Sequence, residues 1–253
     1  QRAALFFQKY LSESLTKPAW SPKLISIESF FSSLSDLREP DRLSLIYRLY
    51  KVYNEVMKSE EPFDRFYFWG DMLLRDFDEV DKYMVNAQLM FRDLSQLKEL
   101  DESFDFLTEE QREFLKGFWV SFEEKPAGSK EEFLKVWRKL PKVYAEYMKS
   151  LKKEKLGYEG MIHKEVAEKV MSKGVLGKSE KGDQYIFAGF NALTKAEENI
   201  ISYFVGEGAN CYWDIDAYYM EDKWQEAGQF FRQYRNHPIL SRTFEVPPNN
   251  FKG

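Results

Sequence analysis

A chain of 253 residues with a 43% apolar fraction can bury a real core, as one large domain or two small ones. Its 42 acidic against 37 basic residues leave a net charge of −5, which argues against a generally basic nucleic-acid-coating surface, though not against a local basic groove. A single cysteine excludes a disulfide framework and points to a reducing compartment, and no apolar run is long enough to read as a membrane span.

In chain order, Arg2–Ser14 places Leu5, Phe6, Tyr10 and Leu11 at helical spacing. Leu24–Ile27 is short and apolar after Pro22 and is expected to be a strand. Glu28–Leu37 then continues as a helix. From Pro40 to Lys173 the pattern becomes almost wholly helical. Asp41 opens one helix through Leu45, Leu49, Tyr53 and Val56, and Pro62 restarts another. Thr108 with Gln111 and Ser129 with Glu132 have the spacing of capping boxes. Pro141 is expected to kink or divide the helix it falls in. Tyr158–Met171 is a further amphipathic helix. Lys173–Asp183 reads as a loop.

The stretch Tyr185–Phe204, YIFAGFNALTKAEENIISYF, carries most information. Tyr185–Ala188 is a short buried strand candidate, and Thr194 stands three residues before Glu197, as in a capping box. A second strand candidate, Cys211–Trp213, follows. Strand, helix, strand is the grammar of a parallel α/β sheet. Lys223–Arg235 is expected to be helical and the last residues to be an exit linker. The three strand candidates are expected side by side in one sheet. Residues 1–39 and 174–253 would then form an incomplete α/β core, with residues 40–173 as a helical insertion. Gln1 in place of Met, and the loop-like Pro247–Asn250 close to the end, read as the limits of a piece of a longer protein.

The candidate chemistry is sparse. Asp76, Asp78, Glu79 and Asp81, with Asp71 upstream, could suggest a metal site, but the glycine turn and ligand rhythm of a calcium loop are missing, and a solvated acidic face is the better reading. His163 and His237 pair with no Ser or Cys in a nucleophile motif. Gly174–Ser179 ends in Gly-Lys-Ser, yet its spacing is wrong for a phosphate loop and it precedes a strand. Asp214 and Asp216 end the second strand, where α/β sheets place functional groups. Against that, Asp216 fits equally as the cap of a following turn or helix. Lys9-Tyr10 and Arg232–Arg235 combine charge with rings, a pattern that serves single strands or the rims of core helices.

Three patches carry a family resemblance: Arg2–Phe7, Trp20–Phe30 and Ile186–Thr194. With them the chain resembles the N-terminal helicase-like part of AddB-type proteins, the partner subunits of bacterial AddAB helicase–nucleases. It is most similar to the Bacteroidetes versions in the PD-(D/E)XK nuclease family. The first patch resembles the helix after that family's first strand, and the second its next strand and helix. The third resembles the segment standing where active helicases have a Walker B strand. The resemblance implies a small P-loop-NTPase-like (superfamily 1 helicase-like) parallel sheet with a large helical insertion. It also implies a cytoplasmic DNA-repair protein that binds or scans a DNA strand, and a partner motor subunit. Ala188, Gly189, Phe190 and Asn191 replace acidic residues at the Walker B position. Gly189, Phe190, Asn191, Asp214 and Asp216 are therefore candidates for a vestigial nucleotide site, with no catalytic residue, no metal and no cofactor. The family's nuclease carboxylates lie in a domain this chain lacks. A docking domain that never touches DNA, and a true NTPase without its phosphate loop, are the rival readings.

Overall fold

The computed structural model describes residues 2–90, 130–173 and 184–244. The capping boxes expected at Thr108 and Ser129, and the loop expected at residues 173–183, lie outside them in whole or in part. Helix α1 (Arg2–Ser14) is joined by residues 15–26 to α2 (Ile27–Leu34). Then follow α3 (Arg42–Met57), α4 (Phe63–Lys82), α5 (Lys130–Lys153) and α6 (Glu159–Lys173). Strand β1 (Ile186–Phe190), α7 (Lys195–Gly206), β2 (Asn210–Trp213), α8 (Ala217–Glu221) and α9 (Gln229–Arg235) complete it, with short 3₁₀ turns at Glu226–Gly228 and Leu240–Thr243.

Local chemistry explains several helix starts. Asp41 accepts from the Ser44 amide at 2.9 Å and caps α3. Thr194 and Glu197 form the reciprocal capping box at α7. Strands β1 and β2 pair in parallel, Phe187 opposite Cys211, with α7 as the crossover.

Three expectations need correction. Leu24–Ile27 is not a strand: Ser26 accepts from the Ser29 amide and turns the chain into α2 at Ile27, and Ile25 stays exposed. The sheet of the described residues therefore has two strands. The nearest thing to a third is an isolated bridge between Arg38 and Leu156. Of the two outcomes expected at Pro141, a kink or a division, the division does not occur, since one helix runs from Lys130 to Lys153. Leu140 just before Pro141 and Val143, Tyr144, Tyr147 and Leu151 after it are buried, enough to outweigh the roughly 3 kcal/mol that an interior proline costs. Finally, residues 223–225 are not helical, and Glu226–Gly228 form only a 3₁₀ turn ahead of α9. The Arg232 guanidinium binds the carbonyls of Tyr219, Asp222, Lys223 and Gln225, and Asp222 accepts from the Trp224 amide. These bonds fix an irregular stretch in which a side chain adds to the backbone bonds that the Gln225 amide makes to Asp222 and the Gly228 amide to Gln225.

Among the described residues, two apolar clusters form the interior. One joins α3, α4 and α5 through Leu45, Ile46, Leu49, Phe66, Phe77 and Tyr147. The other joins α2, the sheet, α7 and α9 through Phe30, Phe31, Phe187, Ile200, Phe204 and Tyr234. Helix α6 serves both, with Met161 in the first and Val166, Ala167 and Val170 in the second. Gly160 allows that helix to approach α4, since a Cβ there would lie 2.2 Å from the Asp78 carbonyl oxygen.

Candidate functional site

The two strands end together. Phe190 stands opposite Trp213, and a bulge falls between Ala188 and Phe190. Gly189 forms that bulge with φ +82°, in the left-handed region, and space over it is open. The parallel direction therefore brings Gly189, Phe190 and Asn191 to the same sheet edge as Asp214 and Asp216. This carboxyl edge is where α/β sheets bind ligands.

The groups at the edge are occupied in structural work. Asp216 caps α8, accepting from the Tyr218 amide at 2.9 Å. Trp213 stacks on Tyr234 and Phe244, each at 5.2 Å between ring centroids, and donates to the Thr243 hydroxyl at 2.8 Å. The Tyr234 hydroxyl in turn accepts from the Leu193 amide at 2.7 Å, tying the loop after β1 to α9. Asp214 remains exposed. The Arg232–Arg235 pattern thus serves the core: Tyr234 is buried and Arg232 clamps backbone. Beyond β2, that clamp holds out Trp224, which is 83% exposed with the Lys223 ammonium 5.2 Å from its ring centroid. The Lys9-Tyr10 pair of α1 is also exposed.

The acidic stretch of α4 is not the solvated face expected from sequence. Asp71 pairs with Arg42 and Arg75, at 2.5 and 2.8 Å. Asp78 pairs with Lys82 at 2.8 Å and accepts from the Gly160 amide at 2.6 Å. Asp81 is fully buried (0% exposed) and accepts from the Tyr144 hydroxyl, the Tyr158 hydroxyl and Lys164 Nζ. Burial, and then the negative charge of Asp81, hold both phenols protonated far above their ordinary range. This network joins α4, α5 and the start of α6. Its helical spacing was visible in the sequence, but its partners lie 63 to 83 residues away in the chain. Among the described residues, no group of three or more His, Cys, Asp or Glu is arranged to hold a metal ion.

His163 is 1% exposed, edge-on to Phe31, and neither ring nitrogen has a hydrogen-bond partner. Glu159 lies 3.8 Å from Nε2. Burial lowers the His163 pKa, and the nearby Glu197 offsets part of that. Burial likewise raises the carboxyl pKa of Glu39 and Glu79. His237 uses Nδ1 to accept from the Ile239 and Leu240 amides, at 3.2 and 3.1 Å, so it caps a turn.

Comparison with family models, curated proteins and solved structures finds no match to this chain. No described helix is long and apolar enough to cross a membrane.

Proposed function

We propose that the chain is a non-catalytic, helicase-like DNA-binding domain of a cytoplasmic DNA-repair helicase–nuclease subunit, engaging a single strand beyond the carboxyl edge of its sheet. The observation that carries this reading is the parallel β1–α7–β2 unit, whose strand ends converge on one edge. Asp216 at that edge is engaged in capping, and the loop that follows presents Trp224 beside Lys223 on a rigid clamp. A base can stack on such a ring while the ammonium meets a phosphate. The buried free thiol of Cys211 fits a reducing cytoplasm.

Binding of a fluorescent oligonucleotide, followed across salt, tests the reading. Affinity should fall steeply with salt, and Trp224→Ala should weaken binding by about 1–3 kcal/mol. Absence of binding at about 100 μM, or binding insensitive to salt, would refute it. With Mg²⁺ present, neither ATP hydrolysis nor DNA cleavage should exceed about 0.1 s⁻¹.

A second reading, a domain that docks a partner motor subunit, is favoured by one observation. Glu221, Asp222 and Glu226 flank Trp224 in sequence, and a basic protein surface suits them better than phosphate does.

A further inference from the structure

Among the described residues, at least two apolar surfaces lack a cover. Helix α1 gathers Phe6, Phe7, Tyr10 and Leu11 on one face, and all four are exposed. It is carried on residues 15–26, a segment without helix or strand that contains Pro18 and Pro22. Proline keeps such a linker extended, and it spans at most about 40 Å. The second surface is the outer face of the β1–β2 sheet. Phe187 and Cys211 bury the inner face against the core, while Ile186 is 62% and Tyr212 56% exposed on the other. Parallel strands are ordinarily covered on both faces.

We propose that α1 is an exchange arm, seated on the open β1–β2 face of a second copy of this chain. The surfaces match in chemistry. One is an amphipathic helix and the other a narrow apolar strip that a helix of this length can cover. They also match in charge. Residues 1–26 hold Arg2, Lys9, Lys17 and Lys23 against Glu13, a net +3, which leaves −8 on the rest of a chain of net −5. Exposed carboxylates border the strip, Glu207 before β2 and Asp214 after it. An anionic membrane would attract the same arm but repel the body that follows. Reciprocal exchange about a twofold axis covers both arms and both faces and leaves no open chain of contacts.

Sedimentation equilibrium of the full chain at about 1–100 μM reads the assembly directly. The chain should be a reversible dimer. Leu11→Asp on the arm and Ile186→Asp on the strip should each weaken it at least about tenfold, because each places a charge in an apolar contact. Both side chains are exposed, so the circular dichroism of the monomer should not change. Mixing the two variants should restore part of the dimer, since one intact arm then meets one intact face. Phe7→Asp and Tyr212→Asp should repeat the pattern through different side chains. A chain monomeric throughout this range, a dimer indifferent to both substitutions, or a monomer that binds anionic lipid vesicles through α1 would overturn the proposal.

Discussion

Replacing Asp81 with Ala should unfold this protein more readily than any loss of its visible surface ion pairs. The carboxylate is fully buried and takes three hydrogen bonds, two from phenols and one from Lys164 at 2.8 Å. Its removal takes the carboxylate from the Tyr144 and Tyr158 hydroxyls, leaving Tyr158 its weaker contact with the Met148 sulfur at 3.1 Å, and takes the counter-charge from Lys164, whose side chain is 21% exposed. Breaking a buried charge network in this one-sided way costs about 3–5 kcal/mol. At roughly 2–4 °C per kcal/mol for a chain of this size, Tm should fall by about 6–20 °C. Tyr158→Phe alone removes one bond to the carboxylate and should cost about 1.5–3 kcal/mol. The double variant discriminates mechanism. If the hydroxyl acts through Asp81, adding Tyr158→Phe to Asp81→Ala should cost little further, or recover some stability by removing a buried hydroxyl left with only the weak Met148 sulfur as acceptor. Denaturant melts of the four proteins measure this. An Asp81→Ala variant within about 1 kcal/mol of the parent, or full additivity of the two substitutions, would refute the network reading.

His163 is held uncharged by burial, so its folded pKa lies below its unfolded one and its contribution to stability should be lost as pH falls below about 6.5. Glu39 and Glu79, with raised values, act in the opposite sense, so the test is the difference between the parent and His163→Leu from pH 7.5 to 5; a difference independent of pH would contradict the assignment. Burial pushes the Cys211 thiol up to about 12, so a thiol reagent at about pH 8 should label it only after denaturant unfolds the chain. Gly160→Ala should destabilise strongly, because the new methyl would meet the Asp78 carbonyl at 2.2 Å. Gly189→Ala meets open space and should cost only the left-handed backbone, about 1–2 kcal/mol. Equal melting temperatures for the two alanine variants would contradict that account.

The features legible in the sequence are those whose partners stand within a few residues. Thr194 and Glu197 announce α7, Asp41 announces α3, and the short apolar runs around Phe187 and Cys211 mark two strands joined by a helix. The convergence of Gly189–Asn191 with Asp214 and Asp216 also follows, because parallel strands end at the same edge. The sequence misled where a short apolar run had no neighbour to pair with. Leu24–Ile27 has strand composition, but a ladder needs a partner, and the serine that follows Ile25 begins a helix instead.

Periodicity and capping, then, determined the helices and the strand–helix–strand unit, since both are settled by contacts across one or two turns of chain. Tertiary structure decided which charges are spent and which remain free. Asp81 and its phenols lie more than 60 residues apart, and Arg232 reaches back across a loop to four carbonyls. A carboxylate on a helix looks the same in sequence whether water or a buried hydroxyl solvates it, and only packing of the neighbouring helices makes that choice.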